Sequence, residues 1–418
     1  MPVVTDSPQR TTFDWWLAGV CGSRVFNGLV FMTYAAALPV LQKEWGMSAA
    51  SAGAIVSGFQ LGYAISLVVF SSLADRISPK RLYLWSLLAA GISSMAFALL
   101  ARDYPSALIL HTLVGISLGG TYTTGLMIIA DQYVPHRRGM GAGAFIAATS
   151  MGYALSLALS GAALPAGGYK LSFLLTCLGP LLGFVLAWFT LRHTEVCAAG
   201  REKERGFTRQ VLGNRPAMLL VAGYAFHSWE LLGMWSWTPA FMAACLGLGG
   251  AAGLKAAGWG SFIAATFHLT GLFASFSMGT LSDRLGRARV ILMTSAASAI
   301  CSFAFGWAID WPVWVVVGIG LIYAFAALGD SPVLSAALTE AMDPSYLGAA
   351  FGLRSLLGFG AGAVSPLVFG AILDWTNPLV QGAYSTWGWA FGVLGLGGVG
   401  ATWAASRFGR IEKTASRA

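Results

Sequence analysis

The sequence predicts an all-α membrane protein with twelve transmembrane helices in two pseudo-symmetric six-helix bundles. Three observations predict it. Hydrophobic residues make up 56% of the 418-residue chain against 10% charged, with a mean hydropathy of +0.69, a balance that a water-solvated surface cannot carry. Apolar stretches long enough to cross a hydrocarbon core recur twelve times. A charged loop also occurs twice, as Leu73-Ala-Asp75-Arg76-Ile-Ser-Pro-Lys80-Arg81 and, 208 residues later, as Leu281-Ser-Asp283-Arg284-Leu-Gly286-Arg287-Ala-Arg289.

The first span, about 13–41, follows a polar segment, Met1–Thr12, and is too long for the apolar core of a secretory signal, so it is expected to be retained. Spans two to six are read at about 51–74, 80–101, 105–130, 138–164 and 169–191. Spans seven to twelve follow at about 216–246, 257–281, 288–309, 312–338, 346–373 and 384–406. The long polar stretch is Arg192–Arg215, where Glu195, Arg201, Glu202, Lys203, Glu204, Arg205 and Arg209 interleave both signs of charge. Such a stretch reads as a strap or short surface helix joining two domains. The expected organisation is an N-terminal bundle over 1–191, a linker over 192–215 and a C-terminal bundle over 216–418.

Cation placement sets the expected orientation. If the chain starts inside, inner loops and tails hold 19 of the 25 Lys and Arg residues, whereas the outer loops hold only Lys43, Arg102, Lys170 and Lys255. The positive-inside rule then puts both termini in the cytoplasm and the protein in a bacterial-type cytoplasmic membrane. It also accounts for the net charge of +8, because the basic residues sit at helix ends instead of gathering on one face as nucleic-acid binding would require. The five cysteines are odd in number and widely spaced, which indicates neither a disulfide framework nor a metal site. Neither a nucleophile–base pair nor a metal-spaced cluster is present, so neither an enzyme nor a cofactor is expected.

The duplication extends past the loops. Asp131-Gln-Tyr-Val-Pro135-His-Arg-Arg-Gly139-Met-Gly-Ala-Gly143 aligns at an offset of 209 with Glu340-Ala-Met-Asp-Pro344-Ser-Tyr-Leu-Gly348-Ala-Ala-Phe-Gly352. Two six-span halves, a long central loop and a D-R-x-G-x-x-R loop in each half together resemble the major facilitator superfamily. The copy starting at Gly279 is complete, and the first has Ser71 and Ser78 where glycines are usual. The resemblance implies a monomeric secondary transporter whose small-molecule substrate sits at mid-membrane between the halves, reached alternately from each side as the halves rock. It further implies an inner gate of Asp75, Arg76, Asp283 and Arg284, with Asp131 and Glu340 as partners for Arg76, Arg138 and Arg284. A carboxylate at these positions can meet a helix N-terminus or an arginine and latch the halves.

Charged and polar groups deep in the spans are the candidate site residues, because such groups persist in hydrocarbon mostly when paired or functional. They are Arg24, Asn27, Gln60, Tyr63, His111, Tyr122, His227, Glu230, His268, Asp330 and Arg354. An offset of 200 places Asn27 opposite His227, and the 208 offset places Gln60 opposite His268. Arg24 is about 11 residues into span one, roughly 16 Å along the axis and near the midplane. Arg24 is read as a clamp for an anion, with Asn27, Gln60, Tyr63, Tyr122, His227, Glu230, His268 and Arg354 as further binding groups. Trp229, Trp235, Trp237 and Tyr63 would wall the pocket, or Trp235 and Trp237 would sit in the interfacial aromatic belt.

Two pairings stay open in the sequence. Asp330 and Arg354 have equal depth on consecutive spans, so a mutual salt bridge is the first expectation; alternatively Asp330 carries a proton and Arg354 binds substrate. Arg24 either pairs with Glu230 or is a free cation. Glu230, Asp330 and His227 are the proton-coupling candidates. The leading expectation is proton-coupled uptake of a small organic or inorganic anion. The alternatives are proton-coupled efflux of an amphipathic neutral or cationic compound and a sensor that keeps the fold without transport. The efflux alternative is weakened by the lack of proline between Gly139 and Leu164, where efflux-type members carry a Gly-Pro pair.

Overall fold

The structure is a computed structural model that describes residues 14–74, 76–196, 208–248, 253–378 and 384–415. Among these residues nine helical segments are long and apolar enough to cross a membrane. One of them, Arg137–Leu191, holds two passes, because α7 (Pro135–Thr176) reverses direction at Gly167 and Gly168 before α8 (Leu178–Leu191). Gly168 has φ 67°, a conformation that glycine adopts without a Cβ penalty. Together with α9 (Arg215–Leu248) and α14 (Gly388–Ala415), which the nine do not include, these segments make up the expected twelve passes.

Two passes are interrupted. The first is α1 (Trp15–Gly28) followed by α2 (Thr33–Glu44), and the fourth is α5 (Tyr104–Leu118) followed by α6 (Tyr122–Gln132). Backbone groups freed in hydrocarbon have no water to bond, so other protein groups must take them. Ser156 of α7 does so at the first break: its hydroxyl donates to the Leu29 carbonyl at 2.5 Å and accepts from the Met32 N–H at 3.3 Å. The Thr33 hydroxyl donates to the same carbonyl at 2.9 Å. A side chain at Gly28 would come within 2.9 Å of the Gly152 Cα, so α1 and α7 touch backbone to backbone there.

The remaining passes are α3 (Ala49–Leu73), α4 (Pro79–Leu100), α10 (Gly253–Leu285), α11 (Arg287–Phe305), α12 (Val313–Ala341) and α13 (Leu347–Thr376). In the first bundle α1 packs on α7 and α8, α3 on α5, and α4 on α5 and α8. In the second bundle α9 packs on α10, α12, α13 and α14, while α11 joins α12 and α14. The bundles meet along α3 with α13, α7 with α10, and α2 with α9. The start of the linker is tied to the first bundle, since Lys80 Nζ donates to the Thr194 carbonyl at 3.0 Å and Ser78 Oγ to the Val196 carbonyl at 2.7 Å. Residues 197–207 of the linker lie outside the described residues, and residues 208–212 form one π-helical turn.

The two bundles are not equally close along their length. Toward the distal end, opposite Trp15 of α1 and Ala415 of α14, one apolar core runs through both, including Leu38, Phe59, Trp237, Phe241, Phe305 and Trp387. Toward the terminal end the core splits into one cluster around Tyr83, Ile128 and Phe145 and another around Leu220, Leu338 and Phe408. Distal closure is also polar. The Asp374 carboxylate of α13 accepts from the backbone N–H groups of Ala49 and Ala50 at 2.8 Å each, so it caps α3 from the opposite bundle. Gln42 Nε2 donates to Tyr384 Oη at 3.0 Å, and Leu367 N–H to Ser57 Oγ at 3.2 Å. The α7–α10 crossing is equally close: a Cβ at Gly161 would lie 2.8 Å from the Gly258 carbonyl oxygen.

Candidate functional site

Arg24 sits where the two interrupted passes meet. It is 1% exposed, and α1 aims it at the α5–α6 junction and at α7. Its Nε donates to Thr149 Oγ1 at 2.8 Å and its Nη1 to Thr121 Oγ1 at 3.0 Å. The guanidinium also lies 5.4 Å from the centre of the Tyr122 ring and 5.3 Å from that of Phe145, within cation–π range. The Tyr63 hydroxyl is close enough to bond to it as well. Among the described residues no carboxylate pairs with Arg24, so a full positive charge is buried with neutral oxygens and ring faces for company.

Arg354 is the second such cation. It projects from α13 at 8% exposure, its guanidinium carbon 3.6 Å from the centre of the Tyr224 ring and 5.4 Å from that of Phe351. Its Nε has no hydrogen-bond partner, and among the described residues it makes no ion pair. The expected Asp330–Arg354 bridge is therefore not the arrangement found. Asp330 Oδ1 instead lies 2.8 Å from His227 Nδ1, in contact but without a well-directed hydrogen bond. The reason is packing. Helix α9 lies against both α12 and α13 and presents His227 to Asp330 and, one turn earlier, Tyr224 to Arg354. The order across the second bundle is thus Asp330, His227, Tyr224, Arg354, with the two rings 5.4 Å apart.

Glu230 does not meet Arg24. It is 3% exposed and points into the second bundle, where Ser298 Oγ donates to its Oε1 at 2.9 Å and a Cβ at Gly398 would lie 2.8 Å from its Oε2. Tyr323, close to the same carboxylate, donates to Ser302 Oγ at 2.9 Å. Of the expected aromatic wall, Trp235 and Tyr63 are at the contact between the bundles: Trp235 stands 5.6 Å from Tyr153 and 5.0 Å from His268, and Tyr63 stands 5.5 Å from Phe359. Trp237 belongs to the second bundle's core, donating to the Pro366 carbonyl at 3.1 Å and stacking on Phe369, and Trp229 donates to the Val393 carbonyl at 3.1 Å. His111 stacks on Phe59 at 4.7 Å inside the first bundle, beside a cavity of about 10 Å³ that Thr33, Ser94 and Cys177 help to line. Gln60 lies on the α3 face that meets α13, its Oε1 without a partner.

The sequence reading missed Thr121, Thr149, Tyr153 and Tyr224, which hold or face the candidate residues. Each is an unremarkable hydroxyl residue by composition. A usable signal was the Gly119-Gly120-Thr121 run, which interrupts an otherwise apolar span.

At the terminal end Asp75 lies outside the described residues. The second copy of the loop closes on itself: Arg287 pairs with Asp283 at 2.6 Å and with Glu340 at 2.8 Å. The expected partners of Glu340 were Arg76, Arg138 and Arg284, and Arg287 takes that place because Gly286, at φ 91°, turns α11 back over the end of α10. Arg284 and Arg76 are exposed, Arg138 donates to the Tyr133 carbonyl at 3.0 Å, and Asp131 accepts from Gln132 at 3.3 Å. Among the described residues no ion pair joins the bundles at this end.

A family model of the major facilitator superfamily matches residues 20–264, and the chain belongs to that superfamily. It is similar to the gallate transporter of Pseudomonas putida, 24% identical over 405 residues that cover 88% of each chain. It is also similar to a putative niacin/nicotinamide transporter, NiaP, of Bacillus subtilis, 23% identical over 85% of this chain and 88% of the relative. Among solved structures, a variant of the nucleoside transporter NupG superposes with a TM-score of 0.75 at 15% identity, covering 94% of this chain and 100% of that one.

Proposed function

We propose that this protein is a secondary active transporter that takes up a small organic anion together with protons, by alternating access, across the cytoplasmic membrane. The observation that carries the reading is Arg24, a buried cation at the junction of two interrupted helices that has no carboxylate partner among the described residues. Discontinuous helices form the midplane sites of many secondary transporters, and a cation there that is not neutralised by the protein is suited to an anion from outside. Arg354 on the other bundle offers a second one, so the anion can be held from both sides. The name of the gallate relative supports the same substrate class. Efflux of a cationic compound fits these two arginines poorly.

Asp330 with His227 is the proton site in this reading. Protonated on the imidazole, the pair is neutral overall; without that proton it leaves a buried carboxylate beside a neutral ring. Tyr224 separates this pair from Arg354, so loading of the cation and of the pair are adjacent events. Glu230, turned toward α11 and α14, is kept as a second proton carrier, one that acts inside its bundle without touching substrate.

Residues 1–191 and 216–418 act as the two rocking bodies, joined by the 192–215 strap, in a monomer whose termini both face the cytoplasm. The distal closure and the split core at the terminal end then correspond to the inward-facing arrangement. The test is a thermal-stability screen of the purified protein against carboxylates, inorganic anions, sugars and cationic amphiphiles, because a ligand that binds the folded state raises its apparent stability. Stabilisation by carboxylates and not by the cationic set is expected; the reverse pattern would overturn the anion reading.

A further inference from the structure

We propose that the anion this site accepts also carries a hydrogen-bond donor, such as a hydroxyl group, and that Asn27 and Gln60 receive it. The inference rests on the anion reading of Arg24 and adds to it which kind of anion. Its basis is a pair of buried amide oxygens with nothing to bond to.

The orientation of the Asn27 amide follows from its neighbours. Thr121 spends its hydroxyl proton on the Leu118 carbonyl at 2.7 Å, so Thr121 Oγ1 can only accept from elsewhere. It accepts from Arg24 Nη1 at 3.0 Å and from Asn27 Nδ2 at 3.2 Å. Asn27 must therefore present its NH₂ group to Thr121, and its Oδ1 is left unpaired at a residue that is 0% exposed. Flipping the amide would set two acceptors against each other.

Gln60 is placed by the residues on either side of it. Ser57, one turn before, accepts from the Leu367 N–H, and Tyr63, one turn after, packs edge-on against Phe359. Gln60 is thus on the α3 face between the bundles, beside the Tyr63 that reaches Arg24. Its Oε1 is buried and also unpaired. Buried polar atoms in folded proteins are almost always bonded, and an orphan is a sign of a missing partner. Both orphans are carbonyl oxygens: Asn27 shares Thr121 Oγ1 with Arg24, and Gln60 lies one turn from Tyr63, which reaches Arg24. A ligand that completes the set brings negative charge to Arg24 and a donor to the amides. An anion without a donor would seal these oxygens away unpaired, and sites that bond a substrate hydroxyl discriminate strongly against analogues that lack it.

The experiment measures affinities of the purified full-length protein for matched carboxylates in which fluorine, close to a hydroxyl in size and unable to donate, replaces the donor: 4-hydroxybenzoate against 4-fluorobenzoate, and lactate against 2-fluoropropionate. The hydroxylated member of at least one pair should bind about tenfold tighter or more. Gln60→Leu and Asn27→Leu should each bring that ratio toward one, with ligand-free melting temperatures recorded to confirm folding. If Asn27→Leu does not fold, the Gln60→Leu ratio carries the test. Equal binding within both pairs overturns this inference alone, whereas failure of every carboxylate to bind overturns the anion reading and this inference with it.

Discussion

Replacing Asp374 should open the distal end. In the closed arrangement its two oxygens take the N–H groups of Ala49 and Ala50, both at 2.8 Å, and neither bond survives separation of α3 from α13. Hydrogen bonds to a charged group contribute about 1.5–3 kcal/mol, and loss of a helix N-cap costs about 0.5–2 kcal/mol. Asp374 is half-buried, so the lower part of these ranges applies: about 1 kcal/mol for Asp374→Asn, which keeps one acceptor, and about 2 kcal/mol for Asp374→Ala. These energies weaken the distally closed state only, and they shift its ratio to the distally open state by about 5-fold and 30-fold. The assay is the labelling rate of Ala363→Cys by an impermeant maleimide from the distal side, after replacement of the native cysteines. Ala363 is 2% exposed and lies on α13 between Phe359 and Leu367, the two positions that meet α3. Rates that rise in the order parent, Asn, Ala are expected. Equal rates in all three would refute the latch.

The other predictions follow from the pairings found. Breaking the Asp330–His227 contact from either side, as Asp330→Asn or His227→Gln, should lower the melting temperature, and the double change should recover part of the loss; strictly additive losses would contradict the pair. Glu230→Gln should leave carboxylate affinity near that of the parent, because Glu230 faces Ser298 and α14; loss of binding as complete as that of Arg24→Ala would return Glu230 to the substrate site. Asp103 caps α5, and its hydrogen bonds from the Ser106 side chain and backbone hold its carboxyl below the ordinary range. The stabilisation by this cap is therefore full above the unfolded-state value and is lost as pH falls through the lower folded one. Asp103→Asn should flatten that acid limb of the stability profile, and an unchanged limb would show that the cap is not its source.

The periodic features of this fold were legible in the sequence. Twelve apolar runs and the 208-residue repeat follow from hydropathy and charge, which are one-dimensional properties. Direction around the helix was not legible. The partners of Asp330 and Arg354 depend on α9 standing against both α12 and α13. That Glu230 faces Ser298 and α14 was not legible for the same reason. The interruptions after Gly28 and Leu118 escaped because their freed backbone groups are repaired by side chains remote in sequence, such as Ser156. Asp374 reads in sequence as a charge at a span end, and its cap on α3 crosses 325 residues of chain.

The measurement that tests the central claim most directly is carboxylate uptake into proteoliposomes holding the parent, Arg24→Ala and Arg24→Lys, with an inward proton gradient and with none. Arg24 is the buried cation on which the anion reading stands. The parent should accumulate the carboxylate only with the gradient. Arg24→Ala should be folded and inactive, and Arg24→Lys should recover only part of the uptake, because lysine lacks the planar fork that grips a carboxylate at two points. Uptake by Arg24→Ala at the parent's rate would contradict the account.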